Sequence, residues 1–94
     1  MKHCILAKWA GNVTDKAALL PQIRALMYPA STIPGVCGVE VYPCCIDRAN
    51  RYDLMIVLDM DKDALPNWDA SDIHHRWKDE YGGLLEKKAI FDYE

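Results

Sequence analysis

An α+β fold with the element order β-α-β-β-α-β is predicted by three observations on this chain of 94 residues. Four segments carry apolar residues at the two-residue period of strands or as short continuous apolar runs. Two segments between them place apolar residues at helical spacing. Proline, glycine and aspartate stand where such elements must begin and end. A chain of this length builds one hydrophobic core, and the whole of 1–94 reads as a single domain that buries roughly 65% of its extended surface.

The first strand runs from His3 to Trp9, with His3, Ile5, Ala7 and Trp9 on one face and Cys4, Leu6 and Lys8 on the other. Both faces carry apolar groups, so the strand is expected to be central and covered on both sides. Gly11-Asn12 breaks it. Thr14 or Asp15 caps a helix whose apolar positions are Leu19, Ile23, Leu26 and Met27. Pro21 lies inside that pattern, so the helix is expected to kink or to begin in effect near Leu20. Pro29 ends it, because a proline pushes the preceding residue out of the α region.

Ile33-Pro34-Gly35 turns the chain into a second strand, Val36 to Tyr42, with Val39 and Val41 sharing a face. Pro43 and the polar stretch from Asp47 to Arg51 form the next connection. The third strand, Tyr52 to Met60, is nearly continuous in hydrophobicity from Leu54 to Leu58. Asp61 is a good N-cap for a second helical region, which Pro66 and the Asp69–Asp72 stretch split into a short helix and a longer one. Gly82-Gly83 is expected to close the longer helix as a C-cap. Lys88 to Tyr93 is the last strand. This order is the split-βαβ or ferredoxin-like arrangement. Two helices cover one face of a four-stranded sheet, so something else must cover the other, and a second copy of the chain is the most economical answer.

Half the residues, 51%, are apolar and 27% are charged, which excludes a disordered tail and a fibrous repeat. No apolar run approaches the roughly 18 residues of a membrane span, and no export signal is expected at Met1-Lys2-His3-Cys4. A net charge of −3 without a basic block argues against nucleic-acid binding. The four cysteines, Cys4, Cys37, Cys44 and Cys45, show no CxxC spacing. They are expected to be reduced, mostly buried thiols of a cytoplasmic protein.

Phosphate-loop, dinucleotide, serine-hydrolase and HExxH patterns are absent, so no metal or cofactor is expected. His74 and His75 are adjacent and diverge by about 100° on a helix, so they cannot chelate one ion from one face. Asp59, Asp61 and Asp63 read as a solvated strand-to-helix junction rather than a cation site. His74 and Tyr81 fall on one helical face two turns apart, with Ile73 and Trp77 beside them. His74 has two readings: a surface histidine bonded to water or a backbone carbonyl, or an imidazole aimed into a pocket as general acid or base. His3 reads as a half-exposed residue at a strand start. Trp68 and Trp77 read as core anchors.

The first strand Lys2–Trp9, the turn Ile33-Pro34-Gly35-Val36, the segment Gly38-Val39-Glu40-Val41, the strand Tyr52–Leu58, the histidine-bearing helix start and the ending Ile90-Phe91-Asp92-Tyr93 together resemble the stress-responsive A/B-barrel (Dabb) domain. The resemblance spans essentially the whole chain. It implies a homodimer whose two sheets close into an α/β barrel, helices outside, with an apolar cavity in each half. The family includes plant olivetolic acid cyclase, which closes a linear polyketide without metal or organic cofactor. That cyclase carries a His-Pro-Ala-His stretch whose second histidine is the base. The matching stretch here is Ser71-Asp72-Ile73-His74, so the resemblance makes His74 the catalytic residue, with Ser71 and Asp72 in place of the first histidine and the proline. It matches His3 to a strand histidine, and Trp68 to a substrate-supporting tyrosine.

The expected protein is thus a cytoplasmic homodimer that binds a small apolar, aromatic or polyketide-like molecule in a cavity lined by His3, Ile5, Ala7, Ile56, Leu58 and Trp68. Neither nucleic acid nor membrane is an expected partner. As an enzyme it would be lyase- or cyclase-like, His74 removing a proton α to a carbonyl while His3 bonds the substrate. Two other readings stand beside this one: a non-catalytic stress-response or structural dimer whose cavity is filled by side chains, and a cofactor-free monooxygenase on the same barrel.

Overall fold

The computed structural model describes all 94 residues. The strands are β1 (Lys2–Trp9), β2 (Val36–Pro43), β3 (Leu54–Met60) and β4 (Leu85–Tyr93). They form one antiparallel sheet in the order β2-β3-β1-β4, which puts β1 and β3 in the centre as their two-sided hydrophobicity requires. Helix α1 (Lys16–Met27) follows β1, and the short helices α2 (Leu65–Asp69) and α3 (Asp72–Arg76) follow β3. This is the ferredoxin-like α+β arrangement.

Asp15 caps α1, its carboxylate accepting from the Ala18 N–H at 3.2 Å. The helix is continuous through Pro21, beginning at Lys16 instead of near Leu20. Pro21 sits only six positions past the cap, where it removes a single bond to the Ala17 carbonyl, and its ring faces solvent. The α-turns end at Met27, and Pro29 enters a 3₁₀ turn over Tyr28–Thr32. Ile23, Leu26 and Met27 supply the buried stripe.

The second helical region departs from expectation at both ends. Asp61 precedes a 3₁₀ turn, Lys62–Ala64, but its side chain caps nothing; its backbone N–H instead donates to the Gly35 carbonyl at 2.9 Å. Ser71 is the working cap, accepting from the His74 N–H at 3.1 Å. The helix widens into a π turn over Trp77–Tyr81 and ends in a 3₁₀ turn, Gly82–Leu84. Gly82 keeps a helical φ of −56°, so the expected left-handed glycine cap is absent. The π turn already breaks the α ladder there. Strand β4 begins at Leu85 rather than Lys88, because its pairing follows β1 to Trp9 through a bulge between Lys8 and Trp9. Strand β3 begins at Leu54 rather than Tyr52; the Asp53 carboxylate turns in to accept the Trp9 N–H at 2.7 Å.

The register sorts the side chains onto two faces. Under the helices lie Ile5, Ala7 and Trp9 with Leu54, Ile56, Leu58 and Met60, packed against Ile23, Leu26, Met27, Trp68 and Trp77. Each of the Ile, Leu and Met side chains among them contributes about 1.5–3 kcal/mol when fully buried. The opposite face carries Cys4, Leu6, Met55, Val57, Ala89 and Phe91, edged by Tyr42 and Tyr93. No helix covers it, and Phe91 is 64% exposed.

The thiols correct one expectation. All four cysteines are free, but only Cys4 is buried. Cys37 is the extra residue of a bulge in β2 between Val36 and Gly38, and Cys44 and Cys45 stand in the exposed β2–β3 connection. Burial pushes the Cys4 thiol above its ordinary pKa, with the charge of Asp92 adding to the effect.

Gly35 is the one residue with positive φ, 88°, and a Cβ there would lie 2.5 Å from the Ala64 Cβ. Gly35→Ala is therefore expected to destabilise the fold by about 2–3 kcal/mol, from left-handed strain plus the clash with the β3–α2 junction. Urea unfolding measures this directly, and an unchanged midpoint would contradict the packing described.

Candidate functional site

At the start of β1 the fold gathers His3, Trp68 and His74. Trp68, on α2, is fully buried and lies between the two imidazoles: its ring centroid is 6.4 Å from that of His3 and 5.0 Å from that of His74. His74 enters the group because Ser71 caps α3 and fixes its first turn. Its ring is half-buried, and Nδ1 lies 3.0 Å from the Asp69 carbonyl oxygen. A carbonyl only accepts, so Nδ1 carries the proton, and in the neutral ring the free lone pair is on Nε2. His75 makes the equivalent bond to the Ser71 carbonyl at 2.7 Å but is exposed.

His3 is buried rather than half-exposed, and its Nδ1 is hydrogen-bonded to the Asp92 carboxylate. Asp92 is its direct cross-strand partner in β4. The imidazole donates to that carboxylate and is held in one orientation, as a positioned histidine requires. Tyr81 does not join His74 as the seven-residue spacing implied. The π turn brings it against Trp77, with rings 5.9 Å apart and stacked, and its hydroxyl donates to Gln22 on α1 at 3.2 Å. Burial raises its phenol above the ordinary range.

Ile5, Ala7, Ile56 and Leu58 lie beneath the helices, each no more than 1% exposed. In the single chain they are packed core, with the indoles of Trp68 and Trp77 in the same cluster, rather than walls of an open space. The two principal cavities lie elsewhere. One, of about 770 Å³, opens at the far end of β1 between Trp9, Leu20 of α1 and the β2–β3 connection. The other, of about 400 Å³, lies on the uncovered sheet face among Leu6, Tyr42, Tyr52 and Met55. No group of three His, Cys, Asp or Glu side chains is placed to hold a metal ion, and no helix is long and apolar enough to cross a membrane.

Sequence reasoning did not single out Asp92 or Asp53 as site residues. Asp92 gains its role from the register that sets it opposite His3, and Asp53 from the chain reversal that brings it to Trp9. Neither pairing has a local signature.

No family model matches the chain, and no curated protein matches it. Solved structures share its fold. A dimeric protein of unknown function and ferredoxin-like fold from Bacteroides fragilis superposes with a TM-score of 0.81 at 16% identity, over 99% of this chain and 93% of that one. A Dabb-family protein with a ferredoxin-like fold from Mesorhizobium loti gives 0.71 at 18% identity, over 99% and 93%. The hydroxynitrile lyase of Passiflora edulis gives 0.74 at 16% identity, over 98% and 89%. The ferredoxin-like fold is thus shared with a Dabb-family protein and with an enzyme.

The His3–Asp92 pair is expected to hold the end of β4 against β1. Asp92→Asn removes the charged acceptor but keeps the shape, and should cost about 1 kcal/mol, the low end for a charge-assisted bond because the carboxylate is partly exposed. Chemical denaturation of both proteins measures it. No loss of stability would mean that the pair does not secure the strand.

Proposed function

We propose that the chain is a Dabb-type domain acting as a cytoplasmic homodimer, which binds a small aromatic or apolar carbonyl compound beside His74 and transfers a proton with it, without a cofactor. One observation carries this reading. The His74 Nδ1–H donates to the Asp69 carbonyl, so the neutral ring presents its Nε2 lone pair from a half-buried position against the Trp68 indole. That is the form a general base needs, beside an aromatic surface on which an apolar substrate can rest. Buried His3, oriented by Asp92, lies across the same indole as a hydrogen-bonding group.

The fold shared with a hydroxynitrile lyase suggests a first substrate class. In a cyanohydrin, His74 Nε2 would take the hydroxyl proton. The oxygen lone pair then forms the carbonyl as the carbon–nitrile bond breaks, and the departing cyanide receives the proton as hydrogen cyanide. The same base would serve in an aldol-type ring closure by taking a proton from the carbon next to a carbonyl.

A second reading is favoured by a different observation. The closed packing of Ile5, Ala7, Ile56 and Leu58 suits a structural or non-catalytic binding dimer whose interior is filled by its own side chains.

Cyanide release from an aromatic cyanohydrin distinguishes the two. Wild-type protein is expected to turn it over above background, and His74→Ala to lower that rate by roughly 10²–10⁴ with thermal stability nearly unchanged. Activity that survives in the variant would remove His74 as the base. A loss of several kcal/mol of stability would make His74 structural, and no turnover by the wild type would leave the filled dimer as the better account.

A further inference from the structure

The larger of the two principal cavities lies away from the histidines. His3 and Trp9 are six residues apart on β1, about 20 Å at 3.3 Å per residue. The cavity at the Trp9 end measures about 770 Å³, within the range of small-molecule sites. Its apolar wall includes Trp9, Leu20, Ile46 and Leu54.

Its charges are unbalanced. Four cations line it, Lys8, Lys16, Arg48 and Arg51, against two carboxylates, Asp47 and Asp53, although the chain as a whole carries −3. Asp53 is already engaged: one oxygen accepts the Trp9 N–H at 2.7 Å and the other the Lys16 ammonium at 3.1 Å. Lys8 donates to the Ala49 carbonyl and lies 4.0 Å from Glu86. Arg51 donates to the neutral Asn50 amide at 2.7 Å, and neither Arg48 nor Arg51 has a carboxylate within 4.0 Å. The two guanidiniums therefore bring charge to the cavity that no carboxylate of the chain pairs. The Arg51 N–H bonds the Arg48 carbonyl at 3.1 Å, so a turn holds the two residues together.

The geometry points to this cavity as a binding site for an organic carboxylate with an aromatic or aliphatic body, its head group held by Arg48 and Arg51 and its body laid along Leu20 and Ile46, with the buried Trp9 forming the floor. A guanidinium fork matches a carboxylate in two parallel hydrogen bonds, and the apolar wall rewards a ligand that is more than a bare ion. The site stands independently of the chemistry at His74, since none of its lining residues belongs to that group.

Titrating the protein with 2-naphthoate, followed by ¹H–¹⁵N NMR, tests the assignment, with 2-naphthalenemethanol as the uncharged counterpart. Saturable binding is expected, with the largest shifts at Trp9 and the 44–51 connection, and the alcohol should bind roughly tenfold more weakly. Arg48→Gln/Arg51→Gln should weaken naphthoate by a similar factor. Asp47→Asn, which removes an opposing carboxylate, should tighten it, so the assignment stays testable even if the double variant folds poorly. Lack of saturation up to ~10 mM, weaker than any useful ligand affinity, would overturn the proposal. Equal binding of acid and alcohol would do the same, as would shifts centred on Phe91 and Met55 or on His74.

Discussion

Everything in this fold depends on the imbalance between one sheet and the helices available to cover it. Four strands present two faces, and α1, α2 and α3 lie on one of them. That face is closed by aliphatic residues of β1 and β3 against Ile23, Met27 and two indoles. The other keeps Leu6, Met55, Val57 and Phe91 uncovered, with the Lys2–Asp59 ion pair at 2.8 Å among the few charges on it. A contiguous apolar surface of this kind on a small chain marks an interface. Because a symmetric pair presents the same patch twice, a second copy would meet it without any further design.

The same constraint separates the two regions where chemistry can occur. The covered face leaves little space of its own, so ligand access falls to its two ends. At one end the cap at Ser71 and the Asp69 carbonyl orient His74 over Trp68, while Asp92 fixes His3 beneath. At the other, the β2–β3 connection stands away from α1 and leaves a cationic cavity over Trp9. Stability and chemistry share residues at both ends: Trp68 and His3 belong to the buried interior as well as to the histidine group, and Trp9 and Leu54 to the core as well as to the cavity wall.

The element order, the central place of β1 and β3 and the bare face were all legible in the sequence, because periodicity and two-sided hydrophobicity are local signals. So was the break before α3, since the Asp69–Asp72 stretch marks it, although the cap at Ser71 was not. What escaped depends on register or on departures from ideal helices. The bulge at Lys8/Trp9 lengthens β4, the π turn at Trp77–Tyr81 takes Tyr81 away from His74, and the bulge after Val36 exposes Cys37. The burial of His3 also escaped, since its partner Asp92 lies 89 positions away. The cationic cavity was read only as a polar connection, because Arg48 and Arg51 meet Lys8 and Lys16 through the fold alone.

The central claim is that the bare sheet face is covered by a second copy. Sedimentation velocity of wild type and Phe91→Glu at micromolar concentration tests it most directly. The wild type is expected to sediment at about twice 10.7 kDa, and the variant, with a charge in the middle of the apolar face, to shift toward the single chain. A well-folded wild-type monomer, or a dimer that the substitution leaves intact, would contradict the account.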